Sequence, residues 1–125
     1  NNFKNDFKND FKNYFKNNEV TQYFNIIKIK CIDKDCKVPK KSTSGSVGYD
    51  LYSYEDKTIN SHPPNNRSLI NTGIKIEMPQ NVWCKIESRS GLAKIGVHLG
   101  AGIIDNDYRG IIYVLLINNT GNEYN

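Results

Sequence analysis

Three glycine-punctuated stretches place polar side chains where a rigid scaffold could aim them. In residues 87–93, Arg89 offers a planar fork of donors and Ser90 a hydroxyl, and the backbone at Ser90 and Gly91 can approach an anion because glycine lacks a Cβ. That combination suits phosphate oxygens. In residues 100–110, Asp105 is a candidate general base, and the flat ring of Tyr108 follows three positions later in the same turn. Residues 47–53 contribute a second acid, Asp50. Each stretch also has a plain reading. Asp50 could cap a turn, Arg89 could pair with a surface carboxylate, and Asn106 and Asp107 could form an ordinary hairpin connection between residues 103–104 and 111–112. Together, a phosphate cradle, a carboxylate and an aromatic platform make a minimal kit for hydrolysing a nucleotide.

Short β-strands must hold these stretches in place. From residue 25 onward, β-branched and aromatic runs alternate with turn residues, the pattern of an all-β domain. Residues 25–32 set Ile27 and Ile29 against Lys28 and Lys30, one face apolar and one solvated. Residues 33–46 read as a loop. Further strands are expected at 49–53, 69–77, 82–87 and 111–117, the second of these interrupted by a bulge at Thr72 and Gly73. Turns fall at His62 to Asn65 and at Pro79-Gln80-Asn81. No segment of this region sustains a helical apolar period over the length of a crossover helix, so a β-sandwich or barrel is expected, and a Rossmann or P-loop nucleotide site is excluded.

Composition bounds the rest. The chain has 125 residues, enough for one small domain. Its formal net charge of +4 comes from Lys and Arg spread along the sequence, which does not point to a nucleic-acid partner. Three cysteines, Cys31, Cys36 and Cys84, lack zinc-site spacing and fit a reducing, intracellular setting. No apolar run is long enough to span a bilayer, and the N-terminal stretch is too rich in Asn and Asp for a signal peptide. Residues 1–18 repeat a four-residue unit, with Phe3, Phe7, Phe11 and Phe15 at helical spacing. The recurring Asn disfavours helix, so residues 1–24 are read as a low-complexity segment without fixed structure and without assigned function, and residues 25–125 as the domain.

The stretches GYDLYS, TGIKIEMP, SRSGLA and GAGIIDNDYRG occur in an order and wording that resemble the trimeric deoxyuridine triphosphate nucleotidohydrolases, the dUTPase family. The last is the most specific. The family pattern Gly-(Val/Ile/Leu)-Ile-Asp-x-Asp-Tyr-(Arg/Gln)-Gly is matched throughout Gly102 to Gly110. The resemblance implies a distorted jelly-roll subunit of the β-clip type, assembled as a homotrimer with shared active sites, that cleaves dUTP to dUMP and pyrophosphate with Mg²⁺. It implies that Asp105 activates the water attacking the α-phosphorus and that Tyr108 packs on the deoxyribose, where a ribose hydroxyl would clash. It implies that Arg89, Ser90 and Gly91 grip phosphates of a neighbouring subunit's substrate, and that Asp50 lies near the metal through water. Uracil would be read by the main chain of Gly102, Ile103, Ile104 and Tyr113. Backbone groups cannot swing to accept cytosine's reversed donor pattern, so the wrong base would bury unmatched polar atoms.

Departures from the family are also legible. Ser88 stands where the family usually has Pro, which is expected to loosen the backbone before Arg89. The connection from Ala93 to Gly102 is slightly short, and His98 is not expected to be catalytic. The sequence closes after residues 117–121 without the family's fourth motif or its glycine-rich fifth. The reading is therefore of a domain incomplete at its C-terminus, a fragment expected to show little activity alone. Two rivals stand beside it, a dCTP deaminase-like enzyme of the same superfamily and a non-catalytic, trimerising nucleotide-binding β-module.

Overall fold

The computed structural model describes residues 14–16, 19–24 and 27–125. It is built almost wholly of strands: β1 (Tyr14–Lys16), β2 (Glu19–Phe24), β3 (Ile27–Cys31), β4 (Arg67–Asn71), β5 (Ile74–Glu77), β6 (Cys84–Lys85), a short helix α1 (Ser90–Ile95), β7 (Val97–Leu99), β8 (Ile103–Ile104) and β9 (Tyr113–Asn118). These form a four-stranded sheet in the order β1-β2-β3-β5, a three-stranded sheet β4-β9-β7 and a two-stranded sheet β6-β8. Every pairing between these strands is antiparallel. The all-β expectation therefore holds. No helix among the described residues is long and apolar enough to cross a membrane.

β3 confirms the alternation in its sequence. Ile29 and Cys31 turn inward and are buried, while Lys28 and Lys30 are half-exposed. Lys28 reaches across the register to Glu77 on β5, 3.6 Å away. The sheet also extends further toward the N-terminus than residue 25. β2, with β-branched and aromatic residues in place of the repeating Asn, pairs with β3 from Val20 opposite Cys31 to Phe24 opposite Ile27. β1 and β2 thus fall within the segment read as low-complexity and without fixed structure, of which residues 1–13, 17 and 18 lie outside those described.

Two expected strands differ in the structure. Residues 69–77 do not form one bulged strand: β4 and β5 belong to different sheets, and the chain turns a corner between them. Gly73 makes the corner, with φ at +69°, and a Cβ there would lie 2.9 Å from the Tyr54 ring and 3.2 Å from Cys36 Sγ. Residues 49–53 are not a strand beyond a single bridge between Asp50 and Lys40, because the stretch joining these two is a Ser-, Thr- and Gly-rich turn. The ammonium groups of Lys37 and Lys41 lie over the rings of Tyr52 and Tyr49 along this bridge.

The core gathers Ile29, Cys31, Ile74 and Ile112, with Leu51, Ile86 and Ile104 packed against them. Full burial of each isoleucine contributes roughly 1.5–3 kcal/mol. The three cysteines are free thiols. Cys36 donates to the carbonyl of Gly73 at 3.3 Å, and burial, followed by the neighbouring Cys31, pushes its thiol up to about 12. Burial also raises Cys31 and Cys84. A raised pKa means less thiolate, so iodoacetamide at pH 8 should label the native protein at least roughly tenfold more slowly than the denatured chain. Equal rates would contradict the burial described here. Gly73→Ala should cost about 2–5 kcal/mol, combining left-handed backbone strain with overpacking against Tyr54 and Cys36. Gly45→Ala, where an added Cβ meets nothing within 4 Å, should change stability by no more than about 1 kcal/mol. Urea unfolding midpoints of the two variants check this contrast.

Candidate active site

The turn that carries Asp105 and Tyr108 runs between β8 and β9, and these strands do not pair with each other. β8 pairs with β6, and β9 lies between β4 and β7. The turn is therefore a crossing from one sheet to another, and the plain reading of Asn106 and Asp107 as an ordinary hairpin connection does not hold. Close packing beneath β8 explains Gly102. Ile86 N–H donates to its carbonyl at 2.8 Å, and a Cβ on Gly102 would collide with the Ile86 carbonyl oxygen.

Within the turn, Tyr108 N–H donates to the Asp105 carbonyl at 3.1 Å. The Tyr108 ring folds over Gly110, where a Cβ would sit 2.6 Å from the phenol oxygen, and its hydroxyl donates to the Ile111 carbonyl at 2.8 Å. The ring is thus held against the turn, and the residue remains 42% exposed. Ile103, Ile104, Asp105, Tyr108 and Tyr113 line a single open concavity of about 180 Å³. Five residues singled out in the sequence come together here. Asp105 is exposed, and its carboxylate makes no hydrogen bond or ion pair with the described residues, so its lone pairs face solvent.

Arg89, Ser90 and Gly91 do not line this concavity. Arg89 is the N-cap of α1, in extended conformation, while Ser90 and Gly91 form the first turn of that helix. A Cβ on Gly91 would meet nothing within 4 Å, so this chain's own packing does not require glycine there. Arg89 Nε lies 3.7 Å from Asp50 Oδ1, with 66% of the arginine side chain and 27% of the aspartate exposed. Asp50 is fixed by its backbone, which exchanges hydrogen bonds of 2.7 and 3.3 Å with Lys40. The structure thus gives Asp50 an arginine partner. No group of three or more His, Cys, Asp or Glu side chains suited to a metal is found among the described residues.

Two contributors were not legible in the sequence. Ser88 Oγ accepts the Leu99 N–H at 2.9 Å, tying the segment before Arg89 to β7. Asn106 sends its side-chain amide to the carbonyls of Pro79 and, at 2.7 Å, Val82. A polar residue between two acids gives no sign in sequence of a partner more than twenty positions away. His98 stands apart, its Nε2 accepting from Asn119 Nδ2 at 2.9 Å.

The family model for dUTPase matches residues 34–125. The deoxyuridine 5'-triphosphate nucleotidohydrolase of Yarrowia lipolytica is 38% identical over 100 residues, covering 79% of this chain and 62% of that protein. The one from Monkeypox virus is 49% identical over 83 residues, covering 66% and 53%, and the one from Avian adenovirus 8 is 47% identical over 88 residues, covering 70% and 52%. The chain thus spans between 52% and 62% of the length of these relatives. Among solved structures, a Staphylococcus bacteriophage 80alpha dUTPase mutant with dUpNHpp superposes with a TM-score of 0.68 at 23% identity, covering 77% of this chain and 56% of that one. A mutant dUTPase from phage phi11 of S. aureus, described for its coordination of a structural Mg(II) ion, gives 0.68 at 22%, covering 76% and 61%. These two likenesses establish the jelly-roll-like β fold. With a family match over residues 34–125 and viral and yeast relatives at 38% to 49% identity, the chain belongs to the dUTPase family.

Proposed function

We propose that this chain contributes to the hydrolysis of dUTP to dUMP and pyrophosphate, by water attack at the α-phosphorus. The observation that carries the proposal is the concavity in which the solvent-facing carboxylate of Asp105 and the held ring of Tyr108 adjoin the exposed edge of Ile103 and Ile104. A carboxylate so placed orients a water and takes its proton as the bond to phosphorus forms. The Tyr108 ring, fixed by its hydrogen bond to Ile111, offers a flat surface to a deoxyribose and leaves no slack for an added hydroxyl. The main chain of Gly102, Ile103, Ile104 and Tyr113 reads the base. Backbone donors and acceptors have fixed direction, and this supports uracil over cytosine.

Arg89, Ser90 and Gly91 serve the phosphates. Their position outside the concavity supports a site completed by another copy of the chain, and a homotrimer with shared sites is part of the proposal. Magnesium suits the donors present. It keeps several waters, takes few carboxylates and leans on substrate phosphates, so Asp50 would serve as an acid acting through water. When bound, it would neutralise phosphate charge. The protein's own share is positioning, and Arg89 supplies the fixed positive group.

Asp105→Asn removes the base but keeps the shape. In protein active on dUTP, pyrophosphate release should fall by about 10²-fold or more while calorimetric affinity for a non-hydrolysable dUTP analogue stays within about threefold. Binding lost with an unchanged melting curve would assign Asp105 to substrate binding instead. Comparing dUTP with dCTP, dTTP and UTP in the same assay tests base and sugar selection, and deamination of dCTP would overturn the reading. Asp50→Asn should leave folding within about 1 kcal/mol of wild type, since the pair is long at 3.7 Å and its arginine side is largely exposed. Its turnover should then report how far the aspartate holds the arginine for phosphate.

A further inference from the structure

We infer that Asn106 is the positioning residue of this site, setting the height and tilt of Asp105 and Tyr108 by anchoring their turn to the loop after β5. The inference rests on the reading of Asp105 and Tyr108 given above, but the anchor itself is a feature of geometry. Residues 79–82 form a tight turn closed by the Val82 N–H donating to the Pro79 carbonyl at 2.9 Å. The Pro79 and Val82 carbonyls both accept from Asn106 Nδ2, and the Met78 carbonyl stands at 3.5 Å, at the limit of a hydrogen bond. One primary amide has two hydrogens to give, and here it finds the two ends of one turn.

The anchor lies next to Asp105 in sequence and two residues before Tyr108, at the middle of the turn that the Tyr108 N–H and Asp105 carbonyl close. Arg109 Nη1 clamps the far side, donating to the carbonyls of Asn106 at 2.5 Å and Tyr108 at 3.1 Å. Asn106 is half-buried and does not line the concavity, so it acts through its neighbours and touches no substrate. The turn crosses between two sheets and has no ladder of its own to hold it, which is why one side chain can matter so much. Only a neutral double donor of this length fits. An aspartate of the same shape would set lone pairs against three carbonyl oxygens, and an alanine would leave those oxygens to water.

The test compares backbone hydrogen exchange at residues 105–109 in wild type, Asn106→Asp and Asn106→Ala, alongside kcat and KM for dUTP. In both variants, exchange in this turn should rise about tenfold or more, while exchange in β3 and β9 is unchanged. In active protein, kcat should fall about 10- to 100-fold and KM should change less, because displacement of the base affects the reacting geometry most. Asn106→Ala carries the comparison if the aspartate variant does not fold. Exchange within twofold of wild type at residues 105–109, or a lowered melting temperature with unchanged kcat, overturns the inference. Wild type without dUTP turnover would sink the proposed reaction, and the exchange comparison would still decide for or against the anchor.

Discussion

Ile112 is 1% exposed, and its backbone is the seam on which this molecule closes. Its carbonyl accepts from Thr72 Oγ1 at 2.6 Å and from Thr72 N–H at 3.3 Å, while its own N–H donates to the Ile74 carbonyl at 2.8 Å. Thr72 ends the connection from β4, Ile74 opens β5, and these strands belong to different sheets. One residue thus joins two sheets at the corner made by Gly73. Buried backbone groups without partners would cost roughly 1–3 kcal/mol each, so the seam is an obligation of the core as much as a contact within it. The turn bearing Asp105 leaves β8 and must return to this point, and its span is fixed before its own sequence is considered.

The glycines near the site follow from that closeness. Gly102 admits the Ile86 backbone, and Gly110 admits the Tyr108 ring. Both are places where the lack of a side chain lets another group lie flat, and in the second case that group is the ring proposed to meet the sugar. Conformational freedom is not the issue at either position, since neither has the positive φ of Gly73. Gly91, by contrast, has empty space around it in this chain.

What the sequence revealed and what it hid divide along physical lines. β3 was legible because its alternation of Ile with Lys is a local consequence of one buried face. The group Ile103, Ile104, Asp105, Tyr108 and Tyr113 was legible because a resemblance in order and wording carried it, and the concavity brings them together. The partner of β8 was not legible. Two isoleucines announce a strand but not which strand they join, and β6 lies across the chain from the nearer candidate at residues 111–112. The corner at Gly73 was read as a bulge because both use glycine, and only the sheet assignment of β4 and β5 tells them apart. The six-residue helix α1 falls below the length at which apolar periodicity can be seen, and none of its residues is buried. Asn106 was hidden for the reason that makes it useful, since its partners are carbonyls, which every residue has.

The pairing of Asp50 with Arg89 bears on how the chain could hold a phosphate group on the proposed reading. An arginine left alone at a site for anions would collect whatever anion solution offers, and a buried ion pair would be too costly to open. At 3.7 Å, with two-thirds of the arginine side chain exposed, this pair sits between those limits. Exposed pairs contribute about 0–1 kcal/mol, whereas charge-assisted hydrogen bonds to a fixed guanidinium contribute about 1.5–3 kcal/mol. On the proposed reading, a polyphosphate therefore displaces the carboxylate from Arg89 with a net gain, and Asp50 is freed to face the substrate's counterion. The backbone bridge to Lys40 holds the main chain of Asp50 through the exchange. Its side chain can then turn from Arg89 toward that counterion about a fixed backbone, which on the proposed reading gives an acid a use beside a group that binds negative charge.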